Sequence, residues 1–221
     1  MSLENFIAKR ILPNRIQGTK VSRPIINIAV FSISLSIVVN LLTIAIVRGF
    51  QNEIYRTVTG FSASLFIQNA NNAEFYEADP IHVSKQIEKE LQKEESISSY
   101  NRVVYKPGLI QGNGENHEVL GLVFKGVDAA YDFTFIHEHL VSGRIPNLSQ
   151  QTTSDEVLMS QAICNQLKLK LNDEISAFFV KDNPISRKFK IVGIYNTGFE
   201  DYDKKLILCD LRVPQKLNEW G

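Results

Sequence analysis

Residues 25–47 read IINIAVFSISLSIVVNLLTIAIV, 23 residues without a single charged side chain. A helix rising 1.5 Å per residue would carry this stretch roughly 35 Å, enough to cross a hydrocarbon core of about 30 Å with some tilt. Its polar residues Asn27, Ser32, Ser34, Ser36, Asn40 and Thr43 are uncharged. A helix carries such groups by bonding them to its own carbonyls or to a neighbouring helix. The stretch is read as a transmembrane helix, and the rest of the chain is organised around it.

Its flanks set a direction. Lys9, Arg10, Arg15, Lys20 and Arg23 precede it against Glu4 alone, whereas Arg48, Glu53 and Arg56 give a mixed flank after it. The positive-inside rule places the N-terminus in the cytoplasm and everything after Val47 outside. A cleaved signal peptide is the competing reading. Its apolar core runs about 7–15 residues and ends at a small-x-small site, while this one is longer and is followed by Arg48-Gly49-Phe50-Gln51.

The chain has 221 residues, 22% charged and 44% hydrophobic, with 24 basic and 24 acidic side chains. About 160 residues follow the membrane segment, enough for one or two small globular domains. Zero net charge and the lack of a basic stripe argue against nucleic acid as a partner. Cys164 and Cys209 lie in the exported part, where a disulfide is chemically possible; two buried thiols, one on a helix and one on a strand, is the preferred reading.

Leu3, Phe6, Ile7 and Ile11 stand at helical spacing among Lys9 and Arg10, which suits a short helix on the cytoplasmic membrane surface or one packed on the protein. Residues 13–24 form a polar, basic elbow. Beyond Val47 the helical pattern continues: Phe50, Ile54, Val58 and Phe61 recur at three- and four-residue spacing. The membrane helix is therefore expected to project as a stalk ending near Gly60; a separate helix after a bend at Gly49 is the alternative. An apolar run at 64–68 follows. Asp79-Pro80 predicts a helix start, with Val83, Ile87 and Leu91 on one face and a solvated charge run on the other. Residues 102–111 and 117–127 predict a hairpin around Gly112-Asn113-Gly114-Glu115-Asn116. The last third predicts a strand at 156–159, a helix capped by Ser160, a second hairpin of 175–180 with 188–195, and a final strand at 206–209. The fold class is α+β: an N-terminal transmembrane helix extended as a stalk into an outer core domain with small mixed sheets. The domain bounds are 1–24, 25–47, 48–61 and 62–221.

Sites for chemistry are weak. There is no G-x-x-x-x-G-K-[ST], so ATP hydrolysis by a P-loop is excluded, and no G-x-S-x-G. His137 and His139, on one face of a predicted strand, lack a third metal ligand at suitable spacing. Glu200, Asp201 and Asp203 do not have the spacing of a calcium loop and read as a polar turn. No metal, cofactor or catalytic residue is expected, and the chain is not read as an enzyme.

Four segments resemble the membrane subunits of ABC transporters of the lipoprotein-releasing (LolC/LolE-type) group, relatives of MacB-type permeases. Phe6-Ile7-Ala8-Lys9-Arg10 resembles the family's opening, and Arg48-Gly49-Phe50-Gln51-Asn52-Glu53-Ile54 its "NGFQNEI"-like junction. Leu140-Val141-Ser142-Gly143-Arg144 precedes Glu156-Val157-Leu158-Met159-Ser160-Gln161-Ala162, like the family's "G-R" before a strand and helix. Leu169-Lys170-Leu171-Asn172-Asp173 follows, with Asn172 where the family has glycine. Residues 192–203, VGIYNTGFEDYD, are similar to "VGxFxTGxxEYD" with one additional residue.

The resemblance implies an inner-membrane permease with a periplasmic core domain of two small mixed α/β subdomains between its first and second helices. It implies as partners a cytoplasmic ATPase subunit, a second permease subunit (homo- or heterodimer), membrane lipid and a lipoprotein substrate. On this reading Phe50, Ile54, Val58 and Phe61 line the stalk and contact a second subunit or a lipid-modified substrate; packing onto their own domain is the competing reading. Thr197, Gly198, Tyr202 and Asp203 fix the turn that joins the subdomains. The family continues into three more membrane helices, so the chain is expected to be the N-terminal part of a longer permease. Only Lys181 to Ser186 stand where the carrier-recruiting member has a long hairpin, which argues against direct carrier recruitment. Two further readings stay open: a single-pass, membrane-anchored binding protein without an ATPase partner, and a cell-division permease-like regulator, which predicts a smaller outer domain.

Overall fold

The computed structural model describes residues 22–70, 76, 79–97, 99–112, 118–149, 151–180 and 184–220. The expected surface helix at 3–12 lies outside them, as do most of the elbow and residues 181–183 of the second hairpin loop. The chain divides into two units, Met1–Arg56 and Thr57–Gly221.

The first described element, α1, runs as one helix from Ser22 to Phe61, without a break at Gly49. Within its apolar stretch three of the polar side chains bond locally. Ser32 Oγ, Asn40 Nδ2 and Thr43 Oγ1 donate to the carbonyls four residues earlier at 2.8, 2.9 and 2.8 Å, which removes most of the cost of placing them in hydrocarbon. Among the described residues it is the one helix long and apolar enough to cross a membrane.

The second unit is a core domain of mixed helices and strands following α1, in keeping with the α+β class expected. Its elements are α2 (Lys85–Lys93), β1 (Val103–Gln111), β2 (Val119–Val127), α3 (Thr134–Glu138), β3 (Leu140–Gly143), β4 (Glu156–Ser160), α4 (Gln161–Leu167), β5 (Glu174–Phe179), β6 (Ile185–Tyr195), α5 (Glu200–Asp203), β7 (Leu206–Asp210) and α6 (Arg212–Leu217). The strands form one mixed seven-stranded sheet ordered β3-β6-β4-β7-β2-β1-β5, with β5 also paired to β6. The eleven-residue β6 makes this possible: its first half pairs antiparallel with β5, its second half parallel with β4 and antiparallel with β3. Six strands thus close into a small ring, with β3 appended to β6. The β2–β7 and β4–β6 pairs are parallel.

Alternation along the strands explains the core. Val157, Met159, Ile207 and Cys209 join a cluster with Phe124, Phe179, Phe189 and the buried sides of α4 and α6. Their neighbours Leu158, Leu206 and Leu208 join a second cluster with Phe61, Tyr131, Ile136 and Tyr195. Both faces of β4 and β7 are buried, which is why these strands read as unbroken apolar runs. Cys164 in α4 and Cys209 in β7 are free, buried thiols, pushed up by burial, Cys164 to about 11.

Two expectations are corrected. The helix expected from Asp79 starts at Lys85, because Ser84 accepts from the Ile87 N–H and the β-branched Ile81 and Val83 favour extended backbone ahead of it. His137 and His139 lie on α3 and its C-cap, not on a strand. Asp132 Oδ1 accepts from Thr134 N–H at 2.9 Å just ahead of that helix, and His139 Nδ1 lies 2.8 Å from the Phe135 carbonyl. The helix α6 was not among the expected elements; its Pro214 occupies the first turn, where no N–H is required.

Candidate functional site

Of the residues singled out in sequence, Phe61 and Tyr202 meet in the second unit, at the last turn of α1 and the turn that holds α5. In the first unit, Phe50 and Ile54 are 66% and 41% exposed. In the second, Val58 is half-buried and Phe61 fully buried. The Phe61 ring stacks on Tyr202 with centroids 5.1 Å apart and lies 5.7 Å from Tyr195. Gly60 lets the last turn approach α3, since a Cβ there would run into the Phe135 ring. The final helical hydrogen bond, Ser62 N–H to the Val58 carbonyl, is 2.9 Å.

Tyr202 belongs to α5, and the preceding turn positions that helix. The Asp203 carboxylate accepts from Thr197 N–H (3.1 Å), Thr197 Oγ1 (2.9 Å) and Gly198 N–H (3.1 Å). Gly198 has φ +73°, a left-handed conformation that glycine adopts without strain. Burial pushes the Asp203 carboxyl up, and the donors from Thr197 and Gly198 pull it back. Ser160 Oγ, at the start of α4, donates to the Asp203 carbonyl. The turn motif is therefore anchored to the helix that follows β4.

The residue that sequence reasoning missed is Lys125 in β2. Its ammonium lies 2.5 Å from the Phe61 carbonyl and 3.0 Å from Tyr131 Oη. It also stands over the Phe61 and Tyr131 rings, 5.1 and 4.9 Å from their centroids. The alternation of β2 was the available signal: Val123 and Val127, on the same strand face as Lys125, pack in the cluster that contains Phe61.

Among the described residues, no group of three or more His, Cys, Asp and Glu is placed to hold a metal ion. The arrangement is a helix end packed among aromatic rings.

Comparison with known proteins gives a family. The model of the MacB-like periplasmic core domain matches residues 28–216. No curated protein matches the chain. Solved structures that resemble it include the extracellular domain of the noncanonical ABC-type transporter YknZ from Gram-positive bacteria. That match has 10% identity and a TM-score of 0.40 and covers 62% of this chain and 67% of that one. The periplasmic region of MacB from Actinobacillus actinomycetemcomitans matches at 16% identity and a TM-score of 0.41, covering 69% of this chain and 66% of the other. The chain thus spans about two thirds of each.

Proposed function

Because this chain belongs to the MacB-like periplasmic core domain family, a module of ABC-transporter permease-type proteins, we propose that it works as part of a non-catalytic membrane subunit. A separate cytoplasmic ATPase drives its motion, and a second permease subunit completes the transporter. The apolar stretch of α1 anchors it in the inner membrane with the N-terminus cytoplasmic and residues 62–221 periplasmic. The substrate class is lipoprotein, released from that membrane; the four sequence segments resembling lipoprotein-releasing permeases support this choice. Phe50 and Ile54, exposed on α1, supply contact surface for the second subunit or for an acylated substrate.

The observation that carries the proposal is the seating of α1. Its last turn, within Thr57–Gly221, ends in Phe61, which has no exposure and packs on Tyr195 and Tyr202, the kind of anchored helix end that mechanical transmission requires. Fully burying a phenylalanine contributes about 1.5–3 kcal/mol, so the seat resists modest loads.

Affinity purification of the natural full-length gene product from detergent-solubilised membranes tests the reading. An ATP-binding subunit is expected in the eluate, with ATPase activity that responds to added lipoprotein. A single-pass protein that comes alone would overturn it in favour of an anchored binding module. An ATPase indifferent to lipoprotein would retain the transporter and remove the substrate.

A further inference from the structure

Lys125 breaks the usual rule for lysine. It is 1% exposed, and its partners are the Phe61 carbonyl, the Tyr131 hydroxyl and the rings of the same two residues. None of these is a carboxylate. The carbonyl at a helix C-terminus carries partial negative charge, and ring faces attract a cation. Against that stands the loss of water from a full charge, a larger effect in a closed apolar site. Burial lowers the amine from 10.5 to about 7.

Among the described residues, the ionisable groups on the surrounding elements do not supply a counter-charge. Tyr105 in β1 is the register partner of Lys125, Tyr131 follows β2, and Tyr195 and Tyr202 come from β6 and α5. Burial raises Tyr105 and Tyr195, and Tyr131 to about 12, so these phenols are neutral near pH 7. The carboxylates of Asp128, Asp132 and Asp203 bond the N–H groups of Ala130, Thr134, Thr197 and Gly198, and among the described residues burial is the one influence that shifts Lys125. His139 caps α3, 4.2 Å from the Phe135 ring.

We propose that Lys125 makes the seat of α1 proton-sensitive: with the amine neutral the last helical turn stays sealed on the sheet, and uptake of a proton drives that turn open. This goes beyond the transport reading and does not depend on it. The neutral amine still donates to the Phe61 carbonyl. The charged amine gains its missing hydration only if the turn lifts and water enters. Tyr131 Oη also stands 3.3 Å from the Phe61 carbonyl, so that acceptor keeps a donor when the amine is removed. An apolar side chain at 125 therefore tightens the seat.

The closed form holds its proton more weakly than the open form. Its stability is complete above the ordinary lysine value, falls with pH from there to about 7, and falls no further below.

The test uses the full chain in lipid nanodiscs. Hydrogen exchange of the amides at residues 58–66 is followed from pH 6 to 9 and divided by the intrinsic rate, beside a carbon NMR titration of the Lys125 Cε. The opening constant is expected to fall about tenfold per pH unit between 7 and 9 and to be flat below 7. Lys125→Met should flatten the profile and protect these amides at least about tenfold more than the wild type at pH 7. Lys125→Arg, charged throughout, should stay as open at pH 9 as at pH 6. A Cε midpoint near 10.5, a flat wild-type profile, or weaker protection in Lys125→Met would each overturn the proposal. If a variant does not fold, the wild-type titration and exchange profile decide.

Discussion

At the scale of single residues the domain is held by polar groups in places where they have few substitutes. Asp203 satisfies two backbone N–H groups and a hydroxyl in one buried turn, and its own carbonyl takes the Ser160 hydroxyl. Asp203→Ala leaves these donors without an acceptor, and a loss of about 2–4 kcal/mol is expected, read as a lowered thermal midpoint by circular dichroism in detergent. A change below about half a kcal/mol would show the turn to be held by its glycine and aromatic neighbours instead. The Thr-Gly…Tyr-Asp pattern was legible because its residues lie within seven positions and share one turn. Lys125 was not. Its partner carbonyl stands 64 positions earlier in the chain, and a lysine in a strand reads as the solvent side of the alternation until the opposite element is known.

At the scale of elements, caps decided where expectation and structure agreed. Ser160 accepts from the Ile163 N–H at 3.1 Å, an interaction visible in sequence as serine directly before an apolar helical run. Lys168 closes the same helix in a left-handed conformation with φ 55°, where glycine would be free of strain. Ser160→Ala is expected to cost about 1–2 kcal/mol and Lys168→Gly to be neutral or gain up to about 1 kcal/mol, both measured by urea unfolding. The opposite order would mean that α4 is held by tertiary packing alone. Where caps competed, sequence misjudged: Asp79 and Ser84 are both capable N-caps, and only Ser84 leads directly into residues free to wind.

At the scale of the whole molecule, the two hairpins, the long helix and the fold class were legible, each from the spacing of a few neighbouring residues. Closure of the strand ring was not, because it depends on β6 being long enough to serve β5 with one half and β4 with the other. Charge asymmetry predicts the membrane direction, which is checked directly. Protease added to intact spheroplasts is expected to degrade the 62–221 region while an N-terminal epitope survives. The reverse protection pattern would invert the assigned topology.

The closed ring also governs how this chain meets other extended polypeptides. In an open sheet both outermost strands offer a ladder of unspent N–H and C=O groups to any passing segment, a standing invitation to strand addition and amyloid-like growth. Here β5, written last in the strand order, spends its outer ladder on β6, and β3, four residues long, is the remaining terminal strand. Gly143 at its end sits at φ +84°, with the Val192 carbonyl where a Cβ would go. Among the described residues, the sheet thus offers an extended polypeptide almost no free edge on which to add a strand.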